Sequence, residues 1–398
     1  MRNVTKNPGL YIHIPFCDTK CGYCDFYSIT NHSSRDEFLQ ALLIEIRNHK
    51  DNDDFKQTTF DTIYLGGGTP SLLTENELEA IFQELNHHFN FSDNCEITLE
   101  ANPGTITKQK FQFYKTIGVN RLSIGIQSFK DNELKFLGRI HDSVQAIKTV
   151  ELAQQTDFDN FSIDLIFALP GQTLDDWIFS LKQGIALNST HVSAYNLIFE
   201  EGTPFYNKLM RGQIVDKSEQ DQEKFYAETM NIFEKTGFKQ YEISSYAKSE
   251  SYYSRHNYKY WDHTNYLSFG PSAHSYWDKK RWSNIRSLSR YIQNLKNGKS
   301  VVDFSEQLDR NTIIFEKIML GLRTSKGINL SRFEKDFDEV FVEKYSSKVE
   351  KLINAGFAEI DQDYFRLTRK GIMICDEIIG EFAGASQTQQ AQPKKKIK

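Results

Sequence analysis

The stretch LYIHIPFCDTKCGYCDFY, residues 10–27, places Cys17, Cys21 and Cys24 within eight residues of a chain that has five cysteines in total. An odd number of thiols this close together cannot pair among themselves, so a disulfide framework fits badly. Metal ligation fits better, although a closed zinc site needs a fourth ligand, which would have to be His13 or a distant residue. Three thiolates in one flexible loop instead suit a 4Fe–4S cluster whose fourth iron stays open to a ligand that is not protein.

The length and charge of the chain exclude several classes of protein. A length of 398 residues predicts two or three structural units. The formal net charge is −5, which draws the chain neither to nucleic acid nor to anionic lipid, although it leaves room for a peripheral membrane contact. The sequence has no apolar run of membrane-spanning length and no apolar segment at residues 1–9 that would indicate a signal peptide. We therefore expect a cytoplasmic protein.

The first half of the chain alternates short apolar strands with helical patterns, which is typical of a parallel sheet built from strand–helix units. Strands are expected near residues 10–14, 61–65, 95–100, 121–127, 161–167 and 191–197. Four of these strands carry one apolar and one polar face, and helices would cover the apolar face. The side chains left to line an interior are Tyr11, Glu100, Gln127 and Asp164. We predict an incomplete (β/α)6 barrel that holds a polar ligand; a half-solvated antiparallel sheet also alternates, but the long helical connections argue against it.

Helix starts are marked by two expected capping boxes. One pairs Ser34 with Glu37, and the other pairs Thr74 with Glu77. Before the second helix lies LGGGTPS, residues 65–71. This glycine-rich turn lets backbone groups approach a ligand, and it follows a strand at the edge where barrel sites assemble.

The spacing CxxxCxxC resembles that of the radical S-adenosylmethionine (SAM) superfamily. The motifs YIHIPFC, GGGTPS, LEANP, GIQSF and IDLIFALPGQT are similar, in order and spacing, to those of the oxygen-independent coproporphyrinogen III oxidase family over roughly residues 9–380. The resemblance implies that Cys17, Cys21 and Cys24 hold the cluster. It implies a SAM site formed by Tyr11, Tyr23, Gly67, Gly68, Thr69, Glu100, Gln127, Arg139 and Asp164.

Two departures separate the chain from true oxidases of that family. Those enzymes carry a fourth cysteine two residues after the third, where this chain has Phe26, and they have a longer segment before the cluster motif. Both features resemble the haem chaperones of the HemW type. The segment HNYKYW, residues 256–261, also fits the HNxxYW motif of that group, which implies haem binding by His256. His263 and His274 are rival candidates, and His274 could instead belong to the SAM pocket.

Beyond the barrel we expect a helix around 218–236 and short strands near 239–246 and 266–277. Residues from Asn311 onward read as three helices followed by a hairpin, which resembles a winged helix. Residues 310–382 hold 12 Lys+Arg and 13 Asp+Glu, a net of −1, so the basic surface of a nucleic-acid binder is absent from this segment. The predicted divisions are 1–205 for the barrel, 206–305 for its extension, 306–382 for the winged-helix-like α+β module and 383–398 for a disordered basic tail.

The sequence therefore predicts an α/β radical-SAM-type protein that binds a 4Fe–4S cluster, SAM and haem and passes haem to an acceptor, for which a respiratory haem protein is one candidate. Two enzymatic readings compete with it. One is oxidative decarboxylation of coproporphyrinogen III, and the other is radical-SAM chemistry on an unrelated substrate. Fold alone cannot separate the three.

Overall fold

The structure is a computed structural model that describes residues 7–49 and 53–383. The predicted basic tail lies outside these residues apart from Ala383. Within them, no helix is long and apolar enough to cross a membrane.

Most strands of the described residues belong to a single twelve-stranded sheet. Its strands are β1 (Gly9–Ile14), β2 (Thr59–Gly67), β3 (Asn90–Ala101), β4 (Arg121–Gln127), β5 (Phe161–Phe167), β6 (His191–Asn196), β7 (Lys239–Gln240), β8 (Ser245–Ala247), β9 (Tyr266–Phe269), β10 (His274–Trp277), β11 (Lys280–Asn284) and β12 (Val302–Gln307). The order is β12-β11-β10-β9-β1-β2-β3-β4-β5-β6-β8-β7, and the first six strands pair in parallel. The sheet ends at β12 and β7 without closing, so the predicted six strands and the open barrel are confirmed.

The helices that accompany this sheet follow the expected strand–helix alternation. They are α1 (Arg35–Asn48), α2 (Asp53–Lys56), α3 (Glu75–His88), α4 (Lys108–Thr116), α5 (Asp131–Leu137), α6 (Ser143–Gln155), α7 (Leu174–Ala186), α8 (Pro204–Met210), α9 (Glu219–Lys235), α10 (Arg255–Asp262) and α11 (Leu288–Lys296). Short 3₁₀ turns occur at Pro70–Leu72 and Glu250–Tyr252. Helix α1 packs against α3 and α11, and α7 packs against α9.

The predicted strand phases match the burial of the side chains. Leu10, Ile12 and Ile14 of β1 are fully buried on the helix-covered face, whereas Tyr11 is only partly buried on the other face. Strand β9 extends the sheet by pairing in parallel with β1, and β10, β11 and β12 continue it as antiparallel strands. The sequence prediction did not include β11 and β12.

One of the two predicted capping boxes is wrong. Thr74 and Glu77 form the expected reciprocal bonds at the start of α3. Ser34 makes no side-chain capping bond at the start of α1, because its backbone (φ −102°, ψ 24°) is not in the extended conformation that aims an N-cap hydroxyl at the first turn.

The chain divides into two compact units. Among the described residues, the second comprises Gln240–Ile243, Tyr260–His263 and residues 308–383, and the first comprises the others. The second unit contains α12 (Arg310–Leu322), β13 (Ile328–Asn329), α13 (Leu330–Phe337), α14 (Phe341–Lys344), α15 (Ser346–Asn354), β14 (Ala358–Asp361), β15 (Tyr364–Leu367), α16 (Arg369–Met373) and α17 (Cys375–Phe382). Strands β14 and β15 form the expected hairpin, and β13 adds a third strand. The core of the second unit is aromatic. Phe341 contacts Phe333, Phe365 and Phe382.

Candidate functional site

The cysteine loop follows β1 directly and is held at both ends by backbone hydrogen bonds. The amide of Cys17 donates to the carbonyl of Ile29 (3.0 Å), and the amide of Ile29 donates to that of Pro15 (2.7 Å). A turn brings the amide of Cys24 to the carbonyl of Cys21 (3.2 Å). None of the three cysteines forms a disulfide, so the loop presents three sulfur atoms from one short, anchored segment.

The glycine-rich turn after β2 packs against the start of the cysteine loop. The amide of Gly68 donates to the carbonyl of Ile14 (2.7 Å), and the amide of Thr69 donates to that of Phe16 (2.8 Å). A Cβ on Gly68 would lie 2.6 Å from the Phe16 oxygen, so only glycine permits this approach. The Thr69 hydroxyl donates to Cys17 Sγ (3.4 Å). Burial raises the pKa of the Cys17 thiol, while the bond from Thr69 opposes that rise.

A guanidinium reaches the second thiol of the loop. Arg139 follows α5, which ends at Gly138 in the left-handed conformation, and its Nη1 donates to Cys21 Sγ (3.5 Å). Its Nη2 donates to the carbonyl of Gly125 (2.8 Å) and to the amide oxygen of Asn102. Arg139 therefore ties Cys21 of the cysteine loop to the backbone of Gly125 and to the side chain of Asn102.

These residues fit a 4Fe–4S cluster by the chemistry of their donors. The other two thiols are engaged elsewhere, since Cys95 contacts the carbonyl of Glu96 and Cys375 that of Leu322. Among the described residues, no three His, Cys, Asp or Glu side chains converge as ligands of a single metal ion. A cluster does not require such convergence, because each thiolate binds a different iron.

Two carboxylates occupy the polar face of the sheet. Glu100 accepts from the Tyr64 hydroxyl (2.8 Å) and from the amide of Gly67 (3.2 Å). Burial raises its pKa to about 7; the Tyr64 bond lowers it, and the nearby charge of Asp164 raises it further. Asp164 accepts from the hydroxyls of Ser123 (2.7 Å) and Ser162 (3.0 Å), and burial raises its pKa as well. A cationic ligand would stabilise the ionised forms of both groups.

Three other predicted residues lie in different surroundings. Tyr11 bonds His13 Nδ1 through its hydroxyl (3.1 Å) and stacks on Tyr64, with ring centroids 6.1 Å apart. Gln127 has a left-handed backbone (φ 70°) at an irregularity of β4, and its side-chain nitrogen lies beside Gly125, as does the Arg139 guanidinium. Tyr23 packs against an apolar cluster formed by Leu137, Ile166, Leu169, Leu197 and Phe205, and its hydroxyl forms hydrogen bonds with Cys21 and Arg139.

His256 lies deep inside the first unit and is fully buried. Its Nδ1 shares a hydrogen bond with Thr62 Oγ1 (2.8 Å), and its amide donates to Glu96 (3.0 Å). Burial lowers its pKa well below the ordinary value, with the charges of Lys259 and Arg121 adding to the effect. Thr62 pairs with Gly9 at the amino end of β1, whereas the cysteine loop follows the carboxyl end. The structure therefore does not bring His256 together with the cysteines.

The sequence interpretation missed several polar residues of the site. They are Tyr64, Asn102, Ser123 and Ser162, all of which contact predicted site residues. The same alternation that selected Glu100 would have selected Asn102 two positions later and Tyr64 on β2. Asn102 also borders a shallow pocket. The residues that line this pocket are Asp18, Thr19, Cys21, Thr69, Asn102, Gly138, Arg139 and Ile140.

Two sequence profiles match this chain. The Radical SAM superfamily profile matches residues 11–183, and the HemN C-terminal domain profile matches residues 308–374. The chain is similar over nearly its whole length to the HemN structure, coproporphyrinogen III oxidase from Escherichia coli. The TM-score is 0.82 at 24% identity, covering 96% of this chain and 91% of that one, which shows a shared fold.

Several relatives of this chain carry the name heme chaperone HemW. The protein from Bacillus subtilis (strain 168) is 34% identical over 376 residues, covering 94% of this chain and 98% of that protein. The protein from Lactococcus lactis subsp. lactis (strain IL1403) is 32% identical over 378 residues, covering 95% and 97%. The chain therefore belongs to the radical SAM superfamily and, within it, to the family of the heme chaperone HemW.

Proposed function

We propose that this protein is a haem chaperone that binds a 4Fe–4S cluster, SAM and haem and transfers haem to an acceptor protein. The observation that carries the proposal is the near full-length similarity to proteins named heme chaperone HemW. The three-cysteine loop also supports the proposal. Phe26, which is 48% exposed, occupies the position where the related oxidases have a fourth cysteine. We expect it to act in the cytoplasm, where thiols stay reduced.

The residues of the first unit have distinct roles in this proposal. Cys17, Cys21 and Cys24 would hold the cluster, which when bound supplies one-electron reduction and an open iron. Thr69 and Arg139 stabilise two of the thiolates through a hydrogen bond and a charge.

The SAM site of this proposal lies on the polar face of the sheet. Glu100 and Asp164 supply negative charge for the cationic cosubstrate, and the Gly67 amide keeps Glu100 oriented. The partial burial of these groups excludes water around the bound molecule.

A second candidate function is anaerobic coproporphyrinogen III oxidation, which the fold shared with the Escherichia coli enzyme permits. The oxidase motif has a fourth cysteine. This chain has Phe26 at that position, and phenylalanine supplies no thiol. A single sample can discriminate the two functions. After anaerobic reconstitution with iron and sulfide, it is titrated with haem, mixed with apo-acceptor, and assayed for protoporphyrinogen IX. Stoichiometric haem binding and transfer without porphyrinogen product support the chaperone; product formation rejects it.

The cluster ligands have a separate test. Replacing Cys17, Cys21 or Cys24 with Ser removes one thiolate each, so iron content and the brown absorbance fall. Cys95→Ser is the matched control, because that thiol lies outside the loop and contacts only its neighbouring backbone in the described hydrogen bonds. Equal iron content in the loop variants and the control contradicts the ligand assignment.

A further inference from the structure

One row of side chains crosses the polar face of the sheet at a single level. Tyr11 of β1 pairs with Ser268 of β9 on one side and with Tyr64 of β2 on the other. Tyr64 pairs with Thr98 of β3, and Thr98 pairs with Arg121 of β4. Paired residues of neighbouring parallel strands point to the same face of a sheet, so these side chains form one row, which we call the inner row.

Hydrogen bonds next to the inner row confirm that it lies on the polar face. The Tyr64 hydroxyl donates to Glu100 (2.8 Å). Arg121 lies two residues before Ser123, whose hydroxyl donates to Asp164 (2.7 Å). The inner row therefore shares its face with the carboxylates of the proposed SAM site and lies nearer the amino ends of β3 and β4.

Three members of the inner row bury polar atoms that the described residues do not satisfy. Arg121 is 1% exposed, and its Nε and Nη1 have no hydrogen-bond partner among those residues. The buried hydroxyls of Thr98 and Ser268 also lack a partner there. Buried polar groups are normally hydrogen-bonded, and a buried charge without partners is costly. The inner row thus offers N–H and O–H donors to an anion, and the planar guanidinium suits a carboxylate.

The imidazole of His256 packs against the same row. Its ring centre lies 5.2 Å from that of Tyr64 and 6.3 Å from that of Tyr11. Burial lowers the pKa of His256, and the charges of Lys259 and Arg121 lower it further, which places Arg121 within electrostatic range of the imidazole. Neutral imidazole is the form that ligates iron. One interior therefore holds a potential iron ligand and a buried cation.

Resting on the proposed haem binding, we propose that the inner row is a carboxylate site in which Arg121 binds a propionate of the haem that His256 ligates. Haem combines an iron with two carboxylates, and the interior supplies an imidazole for the first and a guanidinium for the second. Asp164 does not take this place, because its carboxylate accepts from the hydroxyls of Ser123 and Ser162. SAM also carries a carboxylate, so the experiment has to separate the two sources.

Ligands that lack the carboxylate test the role of Arg121 in the full-length protein. Arg121→Gln should weaken the binding of ferric haem about tenfold, because a charge-assisted hydrogen bond is lost. It should leave the binding of haem dimethyl ester unchanged. The preference of the reconstituted protein for SAM over decarboxylated SAM should also stay the same. Arg47→Gln, which removes a half-exposed cation from α1, is the control and should change none of these affinities.

Thr98→Val tests the inner row without removing a charge. The change deletes a buried hydroxyl that has no partner among the described residues, so the midpoint of thermal unfolding of the ligand-free protein should stay equal or rise. Haem binding should weaken several-fold. Thr229→Val is the matched control, because that buried hydroxyl accepts from Trp177 Nε1 (2.8 Å) and donates to the Phe225 carbonyl (2.7 Å). It should lower the midpoint and leave the affinity for haem unchanged.

The outcomes separate this assignment from the proposed function. If the unmodified protein binds no haem stoichiometrically, the haem part of the proposed function fails. If it binds one haem and Arg121→Gln weakens haem and its dimethyl ester equally, the proposed function stands and the carboxylate site is overturned. A lost preference for SAM over decarboxylated SAM would assign Arg121 to the cosubstrate instead. Should Arg121→Gln fail to fold, Thr98→Val decides, and unchanged haem affinity in that variant rejects the inner row.

Discussion

Gly22 determines where the middle of the cysteine loop sits. A Cβ at this position would lie 2.2 Å from the Phe205 ring, and the carbonyl of Gly22 accepts a hydrogen bond from the amide of Phe205 (2.9 Å). The glycine between the second and third cysteines of the loop is thus required by packing against α8.

We expect Gly22→Ala to push the loop away from Phe205 and displace the thiols of Cys21 and Cys24. Iron retained after reconstitution should fall several-fold, measured by iron and sulfide analysis. Gly380→Ala is the control, because a Cβ there meets no atom within 4 Å. The double variant Gly22→Ala/Phe205→Val should regain iron. Full iron content in the single variant would show that the contact does not position the loop.

Glu100 gives the proposed SAM site a pH dependence. Its pKa is raised to about 7 by burial, so it is half neutral at neutral pH. SAM carries a net positive charge, and the ionised carboxylate should bind it more strongly. Affinity of the reconstituted protein for SAM should therefore fall about tenfold as the pH drops from 8 to 6. Calorimetry of Glu100→Gln should show a flat profile over this range; an unchanged slope would assign the titration to another group.

At the scale of single elements, the two helix starts provide a matched comparison. Thr74 caps α3 through Glu77, which also receives an ion pair from Arg35. Burial raises the pKa of Glu77, but the bonds from Arg35 and Thr74 lower it by more, so the pKa lies below its ordinary value. Ser34 makes no equivalent bond.

Thr74→Ala should lower the free energy of unfolding by about 1 kcal/mol, because the amide of Glu77 loses its acceptor, the Thr74 hydroxyl. Ser34→Ala should change it by less than about 0.5 kcal/mol. Urea unfolding of both variants measures the difference. Equal losses would mean that Ser34 caps α1 in solution.

At the scale of the whole molecule, buried neutral histidines make the protein sensitive to acid. The pKa values of His13 and His141 are lowered to about 4, and those of His191 and His256 lie well below the ordinary value, chiefly through burial. The unfolded chain binds these protons near pH 6.5, so unfolding is favoured as the pH falls through the interval from 6.5 to 4. Glu45 and Glu100, with pKa values of about 7, act in the opposite direction, as do three other carboxyl groups with raised pKa values, Glu133, Asp164 and Asp216. Carboxylates whose pKa values are lowered by hydrogen bonds, such as Glu77 and Asp176, add to the sensitivity to acid.

The midpoint of thermal unfolding should therefore be lower at pH 5 than at pH 6.5. His141→Gln should narrow this difference, because one proton fewer is taken up on unfolding. A higher midpoint at pH 5 would show that the raised carboxylates dominate.

Local patterns predicted much of the fold and part of the site. Alternation alone placed Glu100 and Asp164 on the polar face, because a strand with one covered face has only one register. It could not locate Gln127, since an irregularity of β4 turns its backbone into the left-handed region. It could not show that His256 is buried, because that depends on contacts with Thr62 and Glu96, more than 150 residues away along the chain.

The pairing of β1 with β9 determines when this part of the sheet can form during synthesis of the chain. Gly9 is joined to Thr62 on one side and to Tyr266 on the other, so the strand that carries the cysteine loop is flanked by a segment made much later. At about 5–20 residues per second, the ribosome needs roughly 13 to 53 seconds to reach that partner. During this interval three reduced thiols wait on a nascent chain whose supporting sheet is incomplete. Iron and sulfide should therefore be delivered only after the ribosome has synthesised β9 (Tyr266–Phe269).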